Sequence, residues 1–187
     1  MSRTVPALSA LACSTALVLF PSAAAAAPPP VVHVSGPLIS YDANRVPLGA
    51  AATVTAVSTG SGRTIVTLHV FGLLPETDYG AHAHVNPCGT TGAAAGPHFQ
   101  YEQDPVIPST DPAYANPDNE IWLDLTTNAA GQGRARAVVD WRFPTGRSAG
   151  SVILHVEHTH TGPNDSGVAG TRLGCLTVPF STADGVT

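Results

Sequence analysis

The chain has 187 residues, with 18 Gly, 17 Pro and only 11% charged residues. That composition suits one loop-rich β domain and excludes a coiled coil, which needs Glu, Lys, Arg and Leu in bulk. The eight basic residues are all Arg, and against 13 acidic residues they leave a formal charge of −5, which excludes a basic nucleic-acid binder.

Residues 1–27 read as a secretory signal. Arg3 supplies a positive start, residues 5–20 an apolar run, and Pro21-Ser22 with the alanines at 23–27 a small-residue cleavage region. The apolar run is interrupted by Ser and Pro and falls short of the ~20 residues that span a bilayer. The sequence therefore predicts a secreted, periplasmic or cell-envelope protein with no stable membrane insertion once the signal is removed. Cys13 and Arg3 leave with the signal, so the mature charge becomes −6 and only Cys88 and Cys175 remain. In an oxidising compartment that pair is expected to form a disulfide. The loop it closes is long, worth on the order of 4 to 5 kcal/mol in the chain-entropy treatment.

Residues 28–37, opening on Pro28-Pro29-Pro30, read as a Pro-rich tether. Residues 38–187 read as the folded domain. Within it, β-rich runs fall at 38–44, 51–58, 63–71, 79–86, 120–126, 133–141, 151–157 and 174–178. Turn signals between them, such as the Gly-Ser stretch at 58–62, make sequence neighbours antiparallel. Eight short strands predict an all-β, Greek-key, Ig-like sandwich or barrel. Residues 99–119 and 158–171 lack alternation, and loops of that length are usually functional.

The histidines carry the chemistry. Residues two apart in a strand point to one side, so His82 and His84 can ligate one metal together. His98 follows Gly96-Pro97 at a rigid turn. His155 stands in an apolar strand, where a buried imidazole needs a partner and a metal is one. His158 and His160 read as loop histidines or an accessory metal site. His69 on its strand and His33 in the tether read as incidental, and Trp122 and Trp141 as strand cores.

These residues resemble the copper/zinc superoxide dismutases over about residues 63–180. Tyr79-Gly80-Ala81-His82-Ala83-His84 is similar to the first copper-ligand motif of that family, Gly96-Pro97-His98-Phe99 to the segment of the bridging histidine, and Leu154-His155 to that of the fourth ligand. The segment from Ala169 to Cys175 resembles the one that holds the active-site Arg, here Arg172, and a disulfide Cys, with Cys88 as its partner. The resemblance implies a copper held by His82, His84, His98 and His155, with Arg172 attracting superoxide and His98 carrying a proton. The family's zinc needs two further histidines after the bridging one, and residues 99–125 contain none. Zinc is expected to be absent, as in a copper-only branch. A carboxylate then replaces it on the second ring nitrogen of His98; Glu120 is the candidate, the alternative being a solvated charge at a strand start.

An all-imidazole copper with one open side is a redox site. The expected activity is an exported superoxide dismutase, converting superoxide to oxygen and hydrogen peroxide. The alternative is a non-catalytic copper carrier on the same fold, and Arg172 separates the two because a carrier needs no attraction of an anion.

Overall fold

The computed structural model describes Met1 and residues 30–180. The rest of the expected signal sequence, together with Pro28 and Pro29, lies outside the described residues. In chain order the strands are β1 (Val31–Pro37), β2 (Ile39–Ser40), β3 (Ala51–Ser58), β4 (Thr64–Phe71), β5 (Asp78–His84), β6 (Leu125–Thr126), β7 (Gly133–Val139), β8 (Ser151–His155) and β9 (Arg172–Thr177). A 3₁₀ turn at Gly92–Ala95 is the one helical element among the described residues.

The strands form two antiparallel sheets, ordered β1-β3-β4-β7 and β2-β9-β8-β5-β6. The chain crosses between the sheets after β4 and returns to place β7 beside β4. This is the all-β sandwich that the strand count and turn signals predict.

Period-two alternation explains how the sheets face each other. Ala52, Val54 and Ala56 of β3 and Val66, Leu68 and Val70 of β4 are buried inward. They meet Tyr79, Ala81 and Ala83 of β5 and Val152 and Leu154 of β8 in one core. Each buried Val or Leu contributes roughly 1.5 to 3 kcal/mol of transfer free energy. The intervening residues of the second sheet, His82, His84, Ile153 and His155, must face away from that core. They are nonetheless buried, because the long loops lie across the outer face of this sheet.

Three boundaries differ from the sequence reading. Residues 31–37 are not tether: they form β1, paired residue for residue with β3 from Val31↔Val57 to Pro37↔Ala51. Val32 and Val34 alternate onto the core, a period-two signal that the adjoining prolines obscure. His33 thus belongs to a strand and hydrogen-bonds Thr55 Oγ1 at 3.0 Å. The strand expected at 120–126 forms a ladder only at Leu125–Thr126, its earlier part being held by isolated bridges to Gln100 and His82. The strand expected at 38–44 is reduced to Ile39–Ser40. It continues β1 into the second sheet, so the eight expected strands appear as nine.

Candidate metal centre

Two paired strands and one loop build the site. Gly80 of β5 lies opposite His155 of β8, and His82 opposite Ile153, which sets His82, His84 and His155 on one outer face. A Cβ at Gly80 would stand 2.3 Å from the Glu157 carbonyl oxygen and 2.8 Å from Ala169 Cβ. Only glycine there lets the 157–170 loop close over the histidines. His98 arrives by a bridge to His84, with Phe99 N–H donating to the Ala83 carbonyl at 2.9 Å.

The ligand atoms of His82, His84, His98 and His155 all lie within 4.8 Å of one another. Their tautomers follow from the outer hydrogen bonds. His84 Nδ1–H donates to the Gly96 carbonyl at 2.9 Å, and His155 Nδ1–H to the Gly170 carbonyl at 3.2 Å. Both therefore present bare Nε2 lone pairs, which stand 3.4 Å apart. His82 Nε2–H donates to Thr159 Oγ1 at 2.6 Å, whose own hydroxyl donates to Asp124 Oδ1 at 2.7 Å. Its Nδ1 is left buried with no hydrogen-bond partner. His98 Nδ1–H donates to Glu120 Oε2 at 2.8 Å, turning Nε2 toward the other three.

Four acceptor lone pairs thus converge with no donor between them, an arrangement that costs free energy without a cation and fits a metal well. Burial, reinforced by the neighbouring imidazoles, holds His82 and His84 well below the usual histidine range. Burial likewise pushes His155 down to about 3. All three are neutral at pH 7, as ligation requires.

Glu120 is buried, not a solvated strand-start charge. Besides His98 it accepts Gln100 Nε2–H at 2.8 Å and Trp122 Nε1–H at 2.7 Å. Trp122 is accordingly part of the site's surround and not a core residue, whereas Trp141 is buried as expected. Gln100, Trp122, Asp124 and Thr159 are the functional-site residues that the sequence reading missed. Trp122 and Asp124 had a signal: in Glu120-Ile121-Trp122-Leu123-Asp124 the aliphatic Ile121 and Leu123 stand two apart, and both enter the core. The other three must then face the histidines.

Arg172 opens β9 opposite His155, just beyond an irregularity in the β8–β9 ladder at Leu154/His155. An irregular register of this kind re-aims a side chain. Its Nη1–H donates to the Gly92 carbonyl at 2.7 Å, and a Cβ at Gly92 would lie 2.6 Å from Arg172 Cβ. Cys88 and Cys175 form a disulfide with Cα atoms 5.9 Å apart, tying β9 to the segment that leads into Gly92. A cleft of about 750 Å³ opens over His98, His155 and Arg172.

The remaining histidines stand apart from the four. His158 bonds the Leu125 carbonyl at 3.1 Å, and His160 bonds Asp165 at 2.8 Å. His69 lies on β4 opposite Thr53 and Arg134. Among the described residues no helix is long and apolar enough to cross a membrane.

No family model matches the chain, and no curated relative matches it. Solved structures do. A double mutant of a SOD-like protein from Bacillus subtilis is 16% identical, with TM-score 0.52, over 79% of this chain and 94% of that one. The clock protein EA4 is 18% identical, with TM-score 0.53, over 82% and 96%. The Cu/Zn superoxide dismutase from Brucella abortus is 21% identical, with TM-score 0.51, over 78% and 99%. The chain has the β-sandwich fold of the Cu/Zn superoxide dismutases, with a histidine cluster and a disulfide that fit it.

Proposed function

We propose that the protein is an exported superoxide dismutase that works with one copper and no zinc. The observation that carries this reading is the convergence of His82 Nδ1 with Nε2 of His84, His98 and His155, beneath a cleft that Arg172 borders. Imidazole donors suit copper in both of its common oxidation states. When bound, copper supplies the one-electron exchange that disproportionates superoxide into oxygen and hydrogen peroxide.

The residues of the chain do the rest. Gly96, Gly170, Thr159 and Glu120 each take the outer N–H of one imidazole, fixing its tautomer and direction. The His98 side chain retains 17% exposure and lines the cleft, so it is the imidazole placed to pass a proton between solvent and the site. Glu120 occupies the hydrogen-bonding position on its Nδ1 where a zinc would otherwise sit, which supports the reading without zinc. Arg172 gives an anionic substrate a local positive focus on a protein of net negative charge.

The disulfide agrees with an oxidising compartment, and the signal sequence is proposed to end before Val31, where β1 begins. The test is elemental analysis of purified protein offered copper and zinc together, followed by measurement of superoxide consumption. One copper, no stoichiometric zinc and rapid consumption are expected. Equimolar tight zinc would overturn the metal assignment, and copper loading without consumption would leave a copper carrier.

A further inference from the structure

The cleft is far larger than its proposed substrate needs. A diatomic anion fills about the space of one or two water molecules, ~30 to 60 Å³, whereas the cleft measures about 750 Å³. That size falls in the range of small-molecule sites, roughly 300 to 1,000 Å³.

Its walls have the two-part character of such sites. One rim is the apolar lip Ile107–Pro108, with Val168 also lining the cleft. Val106 and Ile107 are 67% and 64% exposed, adjacent branched aliphatics that their own chain leaves in water. The lip is nevertheless held firmly. Asp104 Oδ1 accepts Val106 N–H at 2.7 Å and Oδ2 accepts the Ser109 hydroxyl at 2.5 Å. Gln100 Oε1 accepts Asp104 N–H at 3.0 Å, while its amide donates to Glu120. A chain of hydrogen bonds therefore runs from His98 to the lip and fixes it beside the histidines.

The charge in the cleft is also uneven. The Asp104 and Glu120 carboxylates are committed to the donors just named. Arg147 spends its guanidinium on the Gln100 and Tyr101 carbonyls and stacks over Phe99. Arg172 gives Nη1–H to Gly92, and among the described residues no carboxylate lies within ion-pair distance of it. Among the described residues neither arginine has a carboxylate partner, but Arg147 commits two guanidinium nitrogens whereas Arg172, half-buried and lining the cleft, commits one, so Arg172 is the cation with more donors left for a ligand.

We propose that the cleft binds a small amphipathic organic anion, its carboxylate on Arg172 and its aromatic or aliphatic body against the Ile107–Pro108 lip. Such a ligand would cover the mouth over the histidines and compete with superoxide. Its recognition needs Arg172 and the lip but not the metal.

The test is calorimetric titration of the purified protein, as isolated and after chelation, with 2-naphthoate, the neutral 2-naphthalenemethanol and acetate. The expected result is 1:1 binding of 2-naphthoate in both samples, with the alcohol and acetate each roughly tenfold weaker or more. Arg172→Gln and Ile107→Ser should each weaken naphthoate several-fold, and Leu48→Ser, on a residue 85% exposed outside the cleft, should leave it unchanged. Should Arg172→Gln fail to fold, the alcohol and Ile107→Ser still separate head from body. Acetate binding as tightly as naphthoate, no binding of naphthoate to the wild-type protein, or naphthoate affinity untouched by Ile107→Ser would overturn the inference. Naphthoate binding to a protein that consumes no superoxide would sink the dismutase reading and leave this one standing; superoxide consumption without naphthoate binding does the reverse.

Discussion

Replacing Glu120 by Ala should be among the most damaging single changes outside the four histidines. The carboxylate is 2% exposed and accepts from His98 at 2.8 Å, Gln100 at 2.8 Å and Trp122 at 2.7 Å. Removing it strands three donors in a region that water reaches poorly. Each costs about 1 to 3 kcal/mol when left unsatisfied, and the emptied volume adds to that. Allowing for partial rescue by water, the loss is roughly 3 to 6 kcal/mol. For a domain of this size each kcal/mol moves Tm by about 2 to 4 °C, so the metal-free, disulfide-intact variant should melt roughly 6 to 24 °C below wild type. Glu120→Gln keeps one acceptor oxygen but sets an amide donor against a donor, and should fall between the two. The comparison is Asp140→Ala, which breaks only the exposed ion pair with Arg63 at 2.6 Å and should cost less than about 1 kcal/mol. Calorimetric melting of the four proteins decides it. If Glu120→Ala melted with Asp140→Ala, the carboxylate would not be holding His98, and the account of how that ring is oriented would fail.

Arg172→Glu should slow superoxide consumption by the copper-loaded protein far more than it changes copper content, with the gap narrowing as salt is raised; a full rate at low ionic strength would leave Arg172 a purely structural residue. Removing the Cys88–Cys175 bond, which spans 87 residues, should lower unfolding stability by about 4 to 5 kcal/mol in denaturant titrations. Equal stability of the reduced and oxidised proteins would contradict that estimate. Chelated protein should lose stability on acidification. His155 titrates at about 3 when folded against about 6.5 when unfolded, so between those values the unfolded chain binds more protons. The histidine contribution is therefore intact above about pH 6.5 and declines as pH falls toward 3, with His82 and His84 acting in the same direction. Denaturant midpoints that stay flat across that window would mean that the imidazoles are hydrated in the absence of metal.

What the sequence by itself determined are the features that depend on near neighbours. The alternation of β3 and β4, with short β-rich runs set between turn signals along the rest of the chain, specifies a sandwich, because successive side chains in a strand must take opposite faces. The same rule puts His82 and His84 on one side, and with Cys13 set aside in the expected signal, Cys88 and Cys175 are the cysteines that remain to pair. Local pattern misled where a strong breaker stood nearby, as at Val31–Pro37, whose alternation follows a run of prolines yet forms an edge strand against β3.

The tertiary structure decided what requires knowing where loops return. The proton that fixes His82 goes to Thr159, 77 residues away, and the one that fixes His98 goes to Glu120, 22 residues away. Neither partner differs in type from the solvated threonines and glutamates elsewhere in the chain. Arg172 reaches the cleft because the β8–β9 register shifts beside His155, an irregularity that no periodicity announces. Residue spacing sets the face on which a side chain lies. Which nitrogen of an imidazole is left bare depends on the atom that comes to rest against the other one, and only the folded chain brings that atom there.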